Sequence, residues 1–109
     1  MKVLAIPEVY QYLDNLVTIL YENDYFGFED FAINYVDELL DEILITLPVR
    51  LHKPAPKYFE KYGENMYYAI FIKNKRTTWY VFFTKYYEHK EAIYLVRYIT
   101  NNHVAAQFL

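Results

Sequence analysis

The stretch Met66 to Phe83, MYYAIFIKNKRTTWYVFF, restricts the possible folds more than any other part of the chain. Two runs rich in Tyr, Phe, Ile, Val and Trp flank the polar turn Lys73-Asn74-Lys75-Arg76. Such side chains fit a pleated, half-buried surface, and Asn tolerates the left-handed backbone of a tight turn. The pattern predicts a β-hairpin. Both runs are nearly continuous in apolar residues, so both faces of the hairpin are expected to be covered, at least in part. Three cations at the tip offer a contact for an anionic partner.

The rest of the chain supplies what the hairpin packs against. Lys2 to Ile6 reads as a short strand. Val9, Leu13, Leu16, Val17 and Leu20 recur at helical spacing and predict a helix from Pro7 to about Tyr21, with Pro7 in the first turn. Glu22 to Gly27 is expected to turn. A second helix follows, with Phe28, Phe31, Ala32, Tyr35, Val36, Leu39, Leu40, Ile43, Leu44 and Leu47 on one stripe. Glu29, Asp30, Asp37, Glu38, Asp41 and Glu42 fill much of its opposite face. That face is either the solvated side of the helix or a dock for a basic partner. Pro48 ends the helix. Val49 to Gly63 reads as a linker, Thr84 to Lys90 as a polar connector, and Glu91 to Ile99 as a further strand. Thr100 or Asn101 is placed to cap a short terminal helix carrying Val104, Ala105 and Phe108.

The order β-α-α-β-β-β predicts a single α+β domain over residues 1–109. It has two layers, an antiparallel meander packed on a helical hairpin, with a short C-terminal helix. The first strand is expected to join the meander, because a lone strand is not stable.

Composition narrows the function. The chain has no Cys and no Ser, which removes disulfides, thiolate metal sites and a serine nucleophile. Two glycines cannot build a phosphate-cradling loop. His52, His89 and His103 lack metal-binding spacing, so neither a metal nor a cofactor is expected. No apolar run reaches a membrane span of about 18 residues, so no membrane partner is expected. The N-terminal stretch lacks a small-residue cleavage site and reads as mature structure, which makes the cytoplasm the default compartment. Residues 1–49 carry one cation against ten acids, net −9; residues 50–109 carry ten cations against four acids, net +6. Either the halves neutralise each other in the fold or they serve separate partners.

The chemistry on offer lies in the basic half. Lys57 and Lys61 are interleaved with Tyr58, Phe59 and Tyr62, a pattern suited to a polyanion with stackable bases. Packing of those rings on the sheet is the alternative. Arg97 is the only charge inside the last strand and needs a partner or a wet cleft. His103 follows six residues later. An imidazole near a guanidinium provides a proton carrier and a phosphate clamp, the parts needed for RNA cleavage by 2′-hydroxyl attack. The alternative is that His103 helps cap the terminal helix and Arg97 pairs with an acid of the second helix. Glu60, Glu64, Glu88 and Glu91 are further candidates for a general base.

The helical hairpin, the P-x-P-K-Y-F-x-K-Y-G approach, the W-Y-V-F-F strand and the terminal V-R-Y-I-x-N-N-H resemble the RelE/ParE superfamily, the toxins of bacterial type II toxin–antitoxin systems. The resemblance implies a toxin bound by a cognate antitoxin. It acts either as a metal-independent, ribosome-linked mRNA endoribonuclease or as a non-enzymatic inhibitor of DNA gyrase; an inactive, antitoxin-binding relative is the third outcome. Arg97 and His103 match the catalytic positions of the ribonuclease branch. Where that branch carries cations on its hairpin strands this chain has Tyr68, Ile70 and Trp79. Lys57, Lys61, Lys73, Lys75 and Arg76 would then make the RNA contacts from nearby loops.

Overall fold

The hairpin forms where its two apolar runs place it. In the computed structural model, which describes residues 1–22, 28–105 and 108–109, Tyr67–Ile72 pairs antiparallel with the first part of Thr78–Glu88. The elements in chain order are β1 (Lys2–Ala5), α1 (Pro7–Glu22), α2 (Glu29–Thr46), β2 (His52–Pro54), β3 (Tyr67–Ile72), β4 (Thr78–Glu88), β5 (Glu91–Asn101) and α3 (Asn102–Ala105). Short 3₁₀ turns occupy Leu47–Val49 and Lys57–Tyr62. The strands form one mixed sheet in the order β1-β5-β4-β3-β2. β1 does join the meander, running parallel to β5, while the other pairs are antiparallel. The result is the expected α+β arrangement with one more strand. The expected turn over Glu22 to Gly27 falls largely on residues 23–27, outside the described residues.

The two helices cover one face of the sheet. Val9, Leu13 and Leu16 of α1 and Ala32, Val36, Leu39 and Ile43 of α2 are buried there, opposite Phe71, Trp79, Val81, Phe83 and Val96. The stripe expected for α2 holds in its middle and fails at its start. Phe28 and Phe31 are 67% and 55% exposed, packed edge-to-face on each other rather than on the core. Periodicity marks which side of a helix is apolar, but not how far along the helix the sheet extends. The second face has a thinner cover: Phe59 and Met66 pack there with Phe82 and Ala105, bordered by Tyr62, Tyr68, Tyr80, Tyr98 and Phe108.

Three segments differ from expectation. The linker Val49 to Gly63 contains strand β2, which pairs His52, Lys53 and Pro54 with Ala69, Tyr68 and Tyr67. Pro54 is tolerated because β2 is an edge strand. The connector Thr84 to Lys90 is mostly strand: β4 continues to Glu88, β5 begins at Glu91, and only His89 and Lys90 turn, at φ 50° and 64°. Two successive positive φ angles match the twist of a two-residue hairpin, and the β-propensity of Tyr86 and Tyr87 outweighs the polar residues around them. At the other turn, Asn74 has no left-handed backbone. Its side-chain oxygen accepts from the N–H groups of Arg76 (2.8 Å) and Thr77 (2.9 Å), closing the turn from within.

Charge is used sparingly to join the halves. Asp37, Glu38 and Asp41 face solvent, while Glu42 turns inward to Arg50 and Lys73. Among the described residues no helix is long and apolar enough to cross a membrane.

Candidate nucleic-acid interface

One cleft forms where the β3–β4 turn meets α3. The chain leaves β5 through Asn101 and Asn102, and both side chains work locally. Asn101 Oδ1 accepts from the His103 N–H at 2.9 Å and caps α3, so of the two caps the sequence offers, Thr100 and Asn101, the second is used. Asn102 ties α3 to the hairpin: its Oδ1 accepts from the Thr78 N–H at 3.0 Å, and its Nδ2 donates to the Arg76 carbonyl at 3.0 Å. His103 therefore lines a cleft with Asn74, Lys75, Arg76 and Thr77. The imidazole, Lys75 and Arg76 are exposed. An anion entering the cleft would meet two positive charges and a ring nitrogen able to carry a proton. Sequence reasoning offers Thr100 or Asn101 as the cap and misses the clamp made by Asn102; the N-N-H string is the signal that could have found it.

A second cavity, about 500 Å³, opens at the far side of β5 and contains Arg97. Its origin is a β-bulge. Phe82 faces Tyr98 and Phe83 faces Val96, so Arg97 is the extra residue of β5. A bulge re-aims its side chain at the point where pairing changes. Pairing does change here: β1 ends with Ala5 opposite Val96, and the Ile6 N–H donates to the Val96 carbonyl at 3.1 Å. Beyond that point the bulged residue opens onto a cavity bounded by the start of α1 and the 3₁₀ turn Lys57–Tyr62. Arg97 Nε donates to Thr84 Oγ1 at 3.2 Å. No carboxylate lies within ion-pair distance of Arg97 among the described residues, so the expected alternative of a helix-two acid is not what holds it.

The two cavities share no lining residue, and Arg97 and His103 are not brought together. About four residues of strand, roughly 13 Å, separate Arg97 from Asn101 alone. His103 is instead brought beside Lys75 and Arg76, and Arg97 beside Lys61. Lys57 is exposed at the head of the 3₁₀ turn. Lys73 points away from the cleft, into the protein. Its ammonium lies 3.4 Å from Glu42 Oε2 and 5.8 Å from the centre of the Tyr35 ring, and its side chain is 17% exposed. Of the interleaved aromatics, Phe59 and Tyr62 pack on the sheet, while Tyr58 stays 45% exposed against the C-terminal Phe108. Phe59 is buried against Phe82, Tyr62 stacks on Tyr98 at 3.7 Å, and Tyr58 stacks on Phe108 at 3.7 Å. Lys61 Nζ sits 4.2 Å from the Tyr58 ring centre, a cation–π contact. Of the candidate bases, Glu88 faces His89 and Glu91 faces the N-terminal amine. Neither of these, nor Glu60 or Glu64, lines either cavity.

Burial raises two phenols beside Arg97. Tyr12 is pushed up to about 12, first by burial and then by the neighbouring Tyr98. Tyr98 is raised by burial and by its hydrogen bond to Tyr62. A raised acid binds its proton more tightly in the folded state. The stabilisation from neutral Tyr12 is thus complete below the ordinary tyrosine value near 10 and is lost as pH rises through about 12. Urea midpoints measured from pH 9 to 12 should fall for the wild type. Tyr12→Phe should flatten that fall, leaving a smaller part from Tyr98. Parallel curves for the two proteins would contradict the assignment.

No family model, no curated protein and no solved structure matches this chain. The chain is thus a small α+β protein with a five-stranded mixed sheet and two helices on one face, in which the Arg97 cavity and the His103 cleft are separate.

Proposed function

We propose that the protein is a RelE/ParE-like toxin that cuts single-stranded RNA in the cleft between the β3–β4 turn and α3, and that a cognate antitoxin restrains it. The observation that carries this reading is the convergence of His103 with Lys75 and Arg76, held by the Asn102 clamp. Lys75 and Arg76 engage the phosphate and offset the charge that grows on it during attack. The His103 imidazole accepts the proton of the 2′-hydroxyl, and that oxygen attacks the adjacent phosphorus. The bond to the 5′-oxygen breaks, and the leaving oxygen takes a proton from water. The products are a 2′,3′-cyclic phosphate and a free 5′-hydroxyl. In the ribosome-linked form of this reading, the ribosome presents the mRNA strand.

The separation of Arg97 from His103 favours a second reading, in which the same basic surface binds a large target such as DNA gyrase, or the antitoxin alone, without cutting. Controlled expression in bacteria separates the two. Growth arrest with new 5′-hydroxyl mRNA ends supports cleavage, and His103→Ala should lower the cleavage rate by about 100-fold or more. Lys75→Ala with Arg76→Ala should weaken RNA binding and reduce its salt dependence. Arrest with intact mRNA and damaged DNA would replace the first reading by the second. Unchanged cleavage by His103→Ala would remove His103 from the chemistry.

A further inference from the structure

The Arg97 cavity is not used by the chemistry above, and its composition is specific. Ile6, Val9 and Ile99 give it apolar walls, and Tyr12, Tyr62 and Tyr98 give it aromatic ones. Arg97 and Lys61 supply two cations, and Glu8 supplies one acid. The volume, about 500 Å³, lies within the usual range for small-molecule sites, which combine apolar walls with a few placed polar groups.

Arg97 is held ready for a ligand. Its Nε donates to Thr84 Oγ1, and no carboxylate among the described residues claims its other nitrogens. Gly63 makes room for it: a Cβ there would stand 2.7 Å from Arg97 Cδ and 3.2 Å from Met66 Sδ. Lys61 is steadied by the rings of Tyr58 and Tyr62, with Nζ 4.2 and 5.4 Å from their centres. A guanidinium and an ammonium in one cavity match a phosphate group, whose charge and oxygens can use both; a carboxylate would need only one. The aromatic walls suit a planar ring, and a carboxylate such as Glu8 suits hydroxyl or amino donors on the same ligand. Phosphate, ring and donors together describe a nucleotide.

We propose that this cavity binds a single nucleotide, with its phosphate on Arg97 and Lys61, its base against the tyrosine wall and Glu8 accepting from its hydroxyl or amino groups. The site is distinct from the His103 cleft and does not depend on cleavage there. The nucleotide is either free or one residue of a strand.

Calorimetric titration of the full chain with adenosine monophosphate, inorganic phosphate, adenosine and a single-stranded RNA hexamer tests this. Adenosine monophosphate should bind saturably, with phosphate or adenosine alone at least tenfold weaker. Arg97→Gln should weaken the nucleotide roughly tenfold or more, and Gly63→Ala should do the same by displacing the guanidinium. Lys2→Ala, which removes an exposed charge outside both cavities, should leave binding unchanged. Both pocket variants are compared only with wild-type near-UV circular dichroism in hand; should Gly63→Ala fail to fold, Arg97→Gln decides. A hexamer binding at least tenfold tighter than the mononucleotide, and losing that affinity in Arg97→Gln, identifies the ligand as part of a strand. Preference for the mononucleotide identifies a free one. Absence of binding by both, or equal affinity in wild type and Arg97→Gln, overturns the proposal.

Discussion

Trp79→Ala should lower the free energy of unfolding by about 3–5 kcal/mol. The indole is 1% exposed, on β4 between Phe71 of β3 and Asn101 of β5. Its Nε1 donates to the Tyr35 hydroxyl at 2.8 Å, so one side chain both fills the core and joins the sheet to α2. Truncation removes the apolar contact, leaves a cavity the strands cannot close, and deletes that bond. Trp79→Phe keeps most of the volume and loses the bond, which should cost about 1–2 kcal/mol. Urea unfolding followed by far-UV circular dichroism measures both. A loss below about 1 kcal/mol for Trp79→Ala would mean that the helices do not rest on this part of the sheet.

Arg50→Met should cost about 2–3 kcal/mol through a different mechanism. Arg50 follows the 3₁₀ turn after α2 and reaches four partners. Its Nη2 pairs with Glu42 Oε1, its Nε donates to Thr46 Oγ1 at 2.9 Å, its Nη1 donates to the Ile70 carbonyl at 3.1 Å, and its guanidinium lies 3.8 Å from the centre of the Phe71 ring. Both partners of the ion pair have side chains 29% exposed, so water screens them less than a surface pair. With Arg50 gone, Glu42 keeps only the longer contact to Lys73, and the Ile70 carbonyl loses its side-chain donor. Glu42→Leu alone should also destabilise. The double variant should recover part of the loss, because the unpaired partner is removed as well. Additive losses in the double variant would show that the pair is not coupled.

Lys73 illustrates why the site was only partly legible. As a sequence position it is one of three cations at a turn, equivalent to Lys75 and Arg76. In the fold its ammonium reaches Glu42, which lies 31 residues earlier on the face of α2 expected to be either solvated or a dock for a partner. Arg97 illustrates the same limit from the other side. That a lone charge in an apolar strand needs a partner or a wet cleft follows from the sequence, and its cleft exists. Which cleft, and with which companions, depended on a bulge and on where β1 stops.

The chain by itself determined the elements whose cause is local: two helices from their apolar spacing, the central hairpin from its two aromatic runs, and a short α3 capped at Thr100 or Asn101. Tertiary structure decided what depends on pairing between distant segments. It set the parallel place of β1, the existence of β2, the extension of β4 through Glu88, and the partial burial of Glu42 with Arg50 and Lys73. It also carried His103 to the hairpin tip and Arg97 to the opposite side of β5. The physical reason is that side-chain type and period act over a few residues. Register, a single extra residue in a ladder and the end of a neighbouring strand are settled only when segments far apart in sequence compete for the same hydrogen bonds and the same apolar surface.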